Sequence, residues 1–137
     1  MNKKLKQVEE FQKAFGANVR YKPTLIDKKT ALLRFDLMSE ENEEYITACV
    51  NNDLIEVADA LGDMLYILYG TILEHGMQYK IDEVFNEIHK SNMSKLDENG
   101  KPIINGLNGV LDKSRPIGKV LKGANYFKPN IKKIIKN

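Results

Sequence analysis

The 137-residue chain has no tryptophan, one cysteine and two histidines. A single Cys49 excludes an internal disulfide and reads as a small apolar residue. So few His and Cys leave no zinc-type ligand spacing. They also leave no Ser/His/Asp or Cys/His arrangement for nucleophilic catalysis. No GxxxxGK[ST] loop is present, which excludes a P-loop NTPase, and no GxGxxG dinucleotide fingerprint occurs. Long apolar runs are missing too. The longest, Met64 to Leu73, is far too short to span a membrane. The start, MNKKLKQVEE, is charged and no apolar segment follows it, so no cleavable signal is expected and the setting is expected to be cytoplasmic. Aromatics make up only 8% of the chain, so the core must be mainly Leu, Ile, Val, Met and Ala. Finally, no acid follows Asp112. Residues 1–94 hold 11 Lys and Arg against 16 Asp and Glu, and residues 95–137 hold 10 against 3. An acidic body with a basic tail suits an anion held by metal.

The size fits one domain. Residues 1–94 read as a helical bundle, and residues 95–137 as a basic extension packed on it. The acids are not scattered. Glu40, Glu41, Glu43 and Glu44 form one burst; Glu56, Asp59 and Asp63 form a second. At 100° per residue Glu40, Glu41 and Glu44 share a face with Leu33, Leu37 and Ala48, while Glu43 points elsewhere. Glu56, Asp59 and Asp63 share a face with Ile67 and Gly70. Both clusters continue apolar stripes, where carboxylates are costly unless neutralised. The break at Asn51-Asn52-Asp53 lets the two segments fold back as an αα-hairpin. The acids then converge, and the natural counter-charge is a hard divalent cation, Mg²⁺ first and Mn²⁺ as a substitute.

Taken in order, Leu5, Val8, Phe11 and Phe15 predict an amphipathic helix over 2–15, stopped by Gly16. A second helix, capped by Thr24 or Asp27, runs to about Val50. Lys28, Lys29 and Arg34 read as solvated charges. Asp53 and Glu56 have capping-box spacing at the start of a third helix, about Leu54 to Glu74. That helix is apolar nearly all round, which argues for a central place and against a monomer. Gly62 and Gly70 predict close approach by a neighbour. Ile81, Val84, Phe85 and Ile88 predict a fourth helix ending near Asn92. His75 and His89 read as helix-end or surface residues. Asp97-Glu98-Asn99-Gly100 predicts a turn closing a small hairpin. Residues 104–118 read as loop, and IKKIIKN as a short basic helical turn.

A site of pattern EExxE…ExxD suits a triphosphate, whose charge needs metal and basic side chains. The segments EENEE and EVAD resemble the split signature of the MazG-like, all-α NTP pyrophosphatases. EVADALGDMLYILYGT, FNEIHKSNMSKL, GKPI and GKVLKGANY are similar to a subgroup described as phosphoribosyl-ATP pyrophosphohydrolase-like. The resemblance covers about Leu33 to Tyr126. It implies a four-helix bundle with a C-terminal loop or short-hairpin extension, assembled as a homodimer or homotetramer. It implies Mg²⁺-dependent cleavage of a nucleoside triphosphate to monophosphate and pyrophosphate. By position it implies Glu41, Glu44, Glu56 and Asp59 as metal ligands and Glu40, with Glu41, as catalytic; Asp63 is an additional site acid. Asn92, Lys95, Lys119 and Lys122 fall in segments assigned to nucleotide contact. Two departures bear on substrate: a short interval between Glu44 and Glu56, and what looks like an insertion at Ile104–Pro116. The competing readings are a non-catalytic helical dimer that binds nucleotide or a partner protein, and nucleic-acid binding through the basic tail. The acidic body and the lack of a recognised nucleic-acid signature weigh against the last.

Overall fold

The computed structural model describes residues 2–136. It contains five helices: α1 (Lys3–Ala14), α2 (Lys28–Val50), α3 (Leu54–Glu74), α4 (Ile81–Met93) and α5 (Ile131–Ile135). No strand forms among the described residues, and one isolated antiparallel bridge pairs Ile104 with Val120. The fold is therefore all-α, as the periodicity predicts. No helix among these residues is long and apolar enough to cross a membrane. The chain divides into two compact units, Met1–Ile81 and Asp82–Asn137.

In the first unit each helix starts where a side chain satisfies its free N–H groups. Asn2 accepts from Leu5 N at 2.9 Å. Of the two candidates for α2, Asp27 is the cap, accepting from Thr30 N at 3.1 Å. Asp53 accepts from Glu56 N at 3.1 Å, and the Glu56 side chain stays exposed. Between α2 and α3, Asn52 takes a left-handed conformation (φ 53°), which Asn tolerates better than most residues. Asp53 N then donates to Ala48 O at 3.0 Å, closing the turn of the α2–α3 hairpin. Cys49 is half-buried near that turn.

The core joins α1 to the end of α3: Leu5, Val8, Ile72 and Leu73, with Val19, Tyr69, Met77 and Ile81 against it. The expected α1 stripe is only half right. Gln12 is buried, while Phe11 and Phe15 stack on each other at the surface, centroids 4.4 Å apart. Residues 5, 8 and 12 keep the 3.6-residue period better than 5, 8, 11 and 15. Gln12 is tolerated inside because its Nε2 donates to Asn18 O at 2.8 Å.

Arg34 is not a solvated charge. Its Nε donates to Thr71 Oγ1 at 3.0 Å and its Nη2 to Ile67 O at 2.7 Å, tying α2 to α3. This tie needs Gly70. A Cβ there would lie 2.5 Å from both Arg34 Nη2 and Gln12 Oε1. Gly62, by contrast, meets nothing within 4 Å, so it serves no close approach within the chain. Gly70→Ala should therefore cost roughly 1–3 kcal/mol, the usual range for overpacking. Gly62→Ala should be neutral or mildly stabilising by helix propensity. Thermal denaturation of the two variants side by side would show the contrast; equal melting points would refute the junction.

In the second unit the Asp97–Gly100 turn forms, with Asp97 N donating to Lys101 O at 2.8 Å. No ladder continues from it, because Lys95 N and Leu96 N are already used in the turn after α4, donating to Asn92 O and Met93 O. Instead Leu121 N donates to Ile103 O at 2.8 Å, so pairing skips to the far side of the 104–118 loop. The last residues return to α4: Ser91 Oγ donates to Phe127 O at 2.8 Å, and Asn130 N to Glu87 Oε1 at 3.0 Å.

Candidate metal centre

The α2–α3 hairpin determines which acids meet. Counted in equal steps from Asn52, Glu41 lies across from Asp63, Glu44 across from Ala60, and Ala48 across from Glu56. Ala48 and Ala60 are both buried, so small side chains let the helices close at these levels. The result is that Glu41, Glu44 and Asp63 each bring one carboxylate oxygen within 4.8 Å of the others. Asp63, which sequence spacing ranks as an additional acid, is a full member of this cluster. Asp59 is near enough that its charge acts on both Glu41 and Asp63. Glu56 stands one level nearer the turn, in a cleft of about 440 Å³ with Glu40, Glu43, Glu44 and Thr47. Glu43 lines that cleft beside Glu40 and takes no part in the Glu41–Glu44–Asp63 cluster.

The electrostatics are those of crowded like charges. Burial, a hydrogen bond shared with Glu44, and the charges of Glu44, Asp63 and Asp59 push the Glu41 carboxyl up to about 7. Asp63 is also raised, by burial first and then by Asp59 and Glu44. Glu41 Oε2 is buried without a hydrogen-bond partner. Three carboxylates with oxygens this close, one of them on a residue that also keeps a buried unpaired oxygen, are the donor set a hard divalent cation uses. Glu41, Glu44 and Asp63 therefore fit such an ion, with Asp59 beside them.

A consequence follows for the metal-free protein. A carboxyl whose folded pKa lies above its unfolded value binds its proton more tightly in the native state. For Glu41 those values are about 7 and 4.5. Its contribution to stability is complete below the lower value and is lost as pH rises through the upper one. In EDTA the melting temperature should fall across that window, and added divalent metal should reverse the fall at neutral pH. Melting curves from pH 4.5 to 8, with and without metal, test this; a melting point in EDTA that climbs through neutrality would contradict it.

The basic residues assigned to nucleotide contact lie in the second unit. Lys95, Lys119 and Lys122 line one cavity of about 430 Å³ there, together with Arg115. Asn92 is exposed on α4 and is not among the lining residues. Arg115 was not singled out in the sequence. Its signal was local: Asp112 three residues before it, and a Ser between them that closes an Asx-type turn.

Residues 8–92 match the family model described as phosphoribosyl-ATP pyrophosphohydrolase. An uncharacterized protein of Acanthamoeba polyphaga mimivirus is 35% identical over 99 residues, 69% of this chain. The chain spans about a third of that relative's length, 36%. The matched family segment contains both acid bursts and the whole α2–α3 hairpin that joins them. The chain belongs to the phosphoribosyl-ATP pyrophosphohydrolase family, within the MazG-like all-α NTP pyrophosphatase superfamily.

Proposed function

We propose that the chain is a Mg²⁺-dependent nucleoside triphosphate pyrophosphohydrolase, with Mn²⁺ as a substitute, acting in the cytoplasm. The observation that carries this is the convergence of Glu41, Glu44 and Asp63, with one Glu41 oxygen buried and unsatisfied. Glu41, Glu44 and Asp63 hold the metal, and Asp59 and Glu56 supply charge around it. When bound, the metal neutralises phosphate charge and makes a water acidic enough to be deprotonated near neutral pH. Glu40, exposed on the adjoining cleft, is the residue we assign to accept a proton from water. Asn92, Lys95, Lys119 and Lys122 contact the nucleotide. The reaction is hydrolysis of the α–β anhydride: water adds its oxygen to the α-phosphorus, pyrophosphate leaves, and nucleoside monophosphate remains.

The working form is a homodimer or homotetramer. The support is the apolar surface that the first unit leaves uncovered. Leu54 and Ile55 are each 80% exposed, and Phe35 and Val50 are 67% and 73% exposed. Val50, Leu54 and Ile55 gather at the turn of the helical hairpin, and exposed apolar side chains grouped in this way mark an interaction surface. Sedimentation analysis should show two or four copies per particle.

The functional test is pyrophosphate release from canonical, deoxy and modified NTPs, with Mg²⁺ and with EDTA. Metal-dependent release with monophosphate as co-product supports the reading and ranks the substrates. Nucleotide binding without release from any triphosphate would replace it with the non-catalytic helical dimer.

A further inference from the structure

The 104–118 segment, an insertion-like stretch in the sequence, is a built element. Its neck is closed by three backbone bonds: Asn105 N to Lys119 O at 2.9 Å, Gly118 N to Asn105 O at 2.9 Å, and Leu121 N to Ile103 O at 2.8 Å. Its interior is filled by one side chain. Asn105 is 1% exposed. Its Nδ2 donates to Asp112 O and Arg115 O at 2.9 Å and to Pro116 O at 3.0 Å, and its Oδ1 accepts from Asp112 N at 2.7 Å. A loop with joined ends, packed by its own side chain, is an Ω-loop, a type often used for function.

That packing arranges charge. Asp112 pairs with Arg115 Nε at 3.4 Å, which orients the guanidinium. Ser114 Oγ and N donate to Asp112 Oδ1 at 2.6 and 2.9 Å, which lowers the Asp112 carboxyl from its ordinary value and favours its charged form. Lys119 follows directly from the neck. Lys95 lies just beyond α4, and Lys122 lies over the Tyr126 ring at 4.7 Å from its centroid. Four cations thus share one cavity with a single acid. An excess of three positive charges in about 430 Å³ has too little acid to neutralise it from within. Compact multivalent anions match it, and planar Arg favours phosphate oxygens in pairs.

We infer that the Asn105-centred loop makes the second unit a polyphosphate-binding pocket of its own, with Arg115 as its fourth cation and Asn105 as its positioning residue. The inference rests on the hydrolase reading only in choosing phosphate as the guest. The metal-free protein can therefore test it, by calorimetric titration of inorganic tripolyphosphate into the full chain in EDTA. Binding should be saturable, and Arg115→Ala and Lys119→Ala should each weaken it roughly tenfold, the scale of a lost charge-assisted bond. Asn105→Ala should weaken it comparably while removing no charge. Lys113→Ala, on the same loop but outside the cavity lining, should leave it unchanged. Glu41→Gln should also leave it unchanged, so a failed hydrolase reading would not touch the result. Absence of tripolyphosphate binding would overturn the inference. So would equal weakening by Lys113→Ala and Arg115→Ala, which would mean diffuse surface charge. If Asn105→Ala does not fold, the contrast between Arg115→Ala and Lys113→Ala still decides.

Discussion

Glu41→Gln should abolish metal-dependent pyrophosphate release and, in the same protein, raise the melting temperature without metal at pH 7. The loss of activity should be on the order of 10²-fold or more, because metal Lewis-acid chemistry contributes several kcal/mol to such reactions. The gain in stability has the opposite cause. Glu41 meets the charges of Glu44, Asp63 and Asp59, and burial adds to them. A neutral amide of the same shape removes that repulsion and can donate to Glu44 or Asp63. The decline in melting temperature with rising pH should flatten as well. Metal-induced stabilisation should shrink in parallel, since linkage requires the ion to bind the native state. A variant that hydrolyses normally, or one less stable than wild type in EDTA at pH 7, would remove Glu41 from the centre of the site.

Arg20→Ala should produce the largest loss of stability of any single surface-proximal change, about 3 kcal/mol. Glu74 is buried near the end of α3, its side chain 5% exposed. Arg20 Nη1 donates to its carboxylate at 3.0 Å and to its backbone oxygen at 2.8 Å. Removing Arg20 takes away the cation hydrogen-bonded to this buried carboxylate, and the charge of Arg34 acts on it only without a hydrogen bond. For a chain this size the melting temperature should fall by roughly 10 °C. The double change Arg20→Ala with Glu74→Gln should recover part of the loss, because the neutral amide no longer needs a counter-charge. If the single and double variants melt together, the ion pair contributes nothing specific.

The Arg20–Glu74 pair shows why part of the fold could not be read from residue order. These residues are 54 apart, and nothing local marks either as buried. Arg34 was misread for the same reason. Its partners Thr71 and Ile67 lie on another helix, and a lone Arg on an amphipathic segment is usually solvated. The hairpin expected at Asp97–Gly100 stops at its turn because Lys95 N and Leu96 N close the end of α4 instead, and its replacement by Ile104–Val120 pairing depends on a closure that only folding reveals.

The sequence by itself determined the helical class, the end of α2, the limits of α3 with its Asp53 cap, and the break at Asn51–Asp53, because these follow from short-range hydrogen bonding and the 3.6-residue period; whether Thr24 or Asp27 caps α2 took the structure to decide. The sequence also placed seven acids on two helices joined by that break. Only the tertiary structure decided that Glu41, Glu44 and Asp63 are the three that meet, while Glu56 falls one level away. The physical reason is register. Periodicity tells which face of a helix a side chain occupies, but the level at which two helices touch is set by how the turn closes and by where small residues such as Ala48 and Ala60 let them approach.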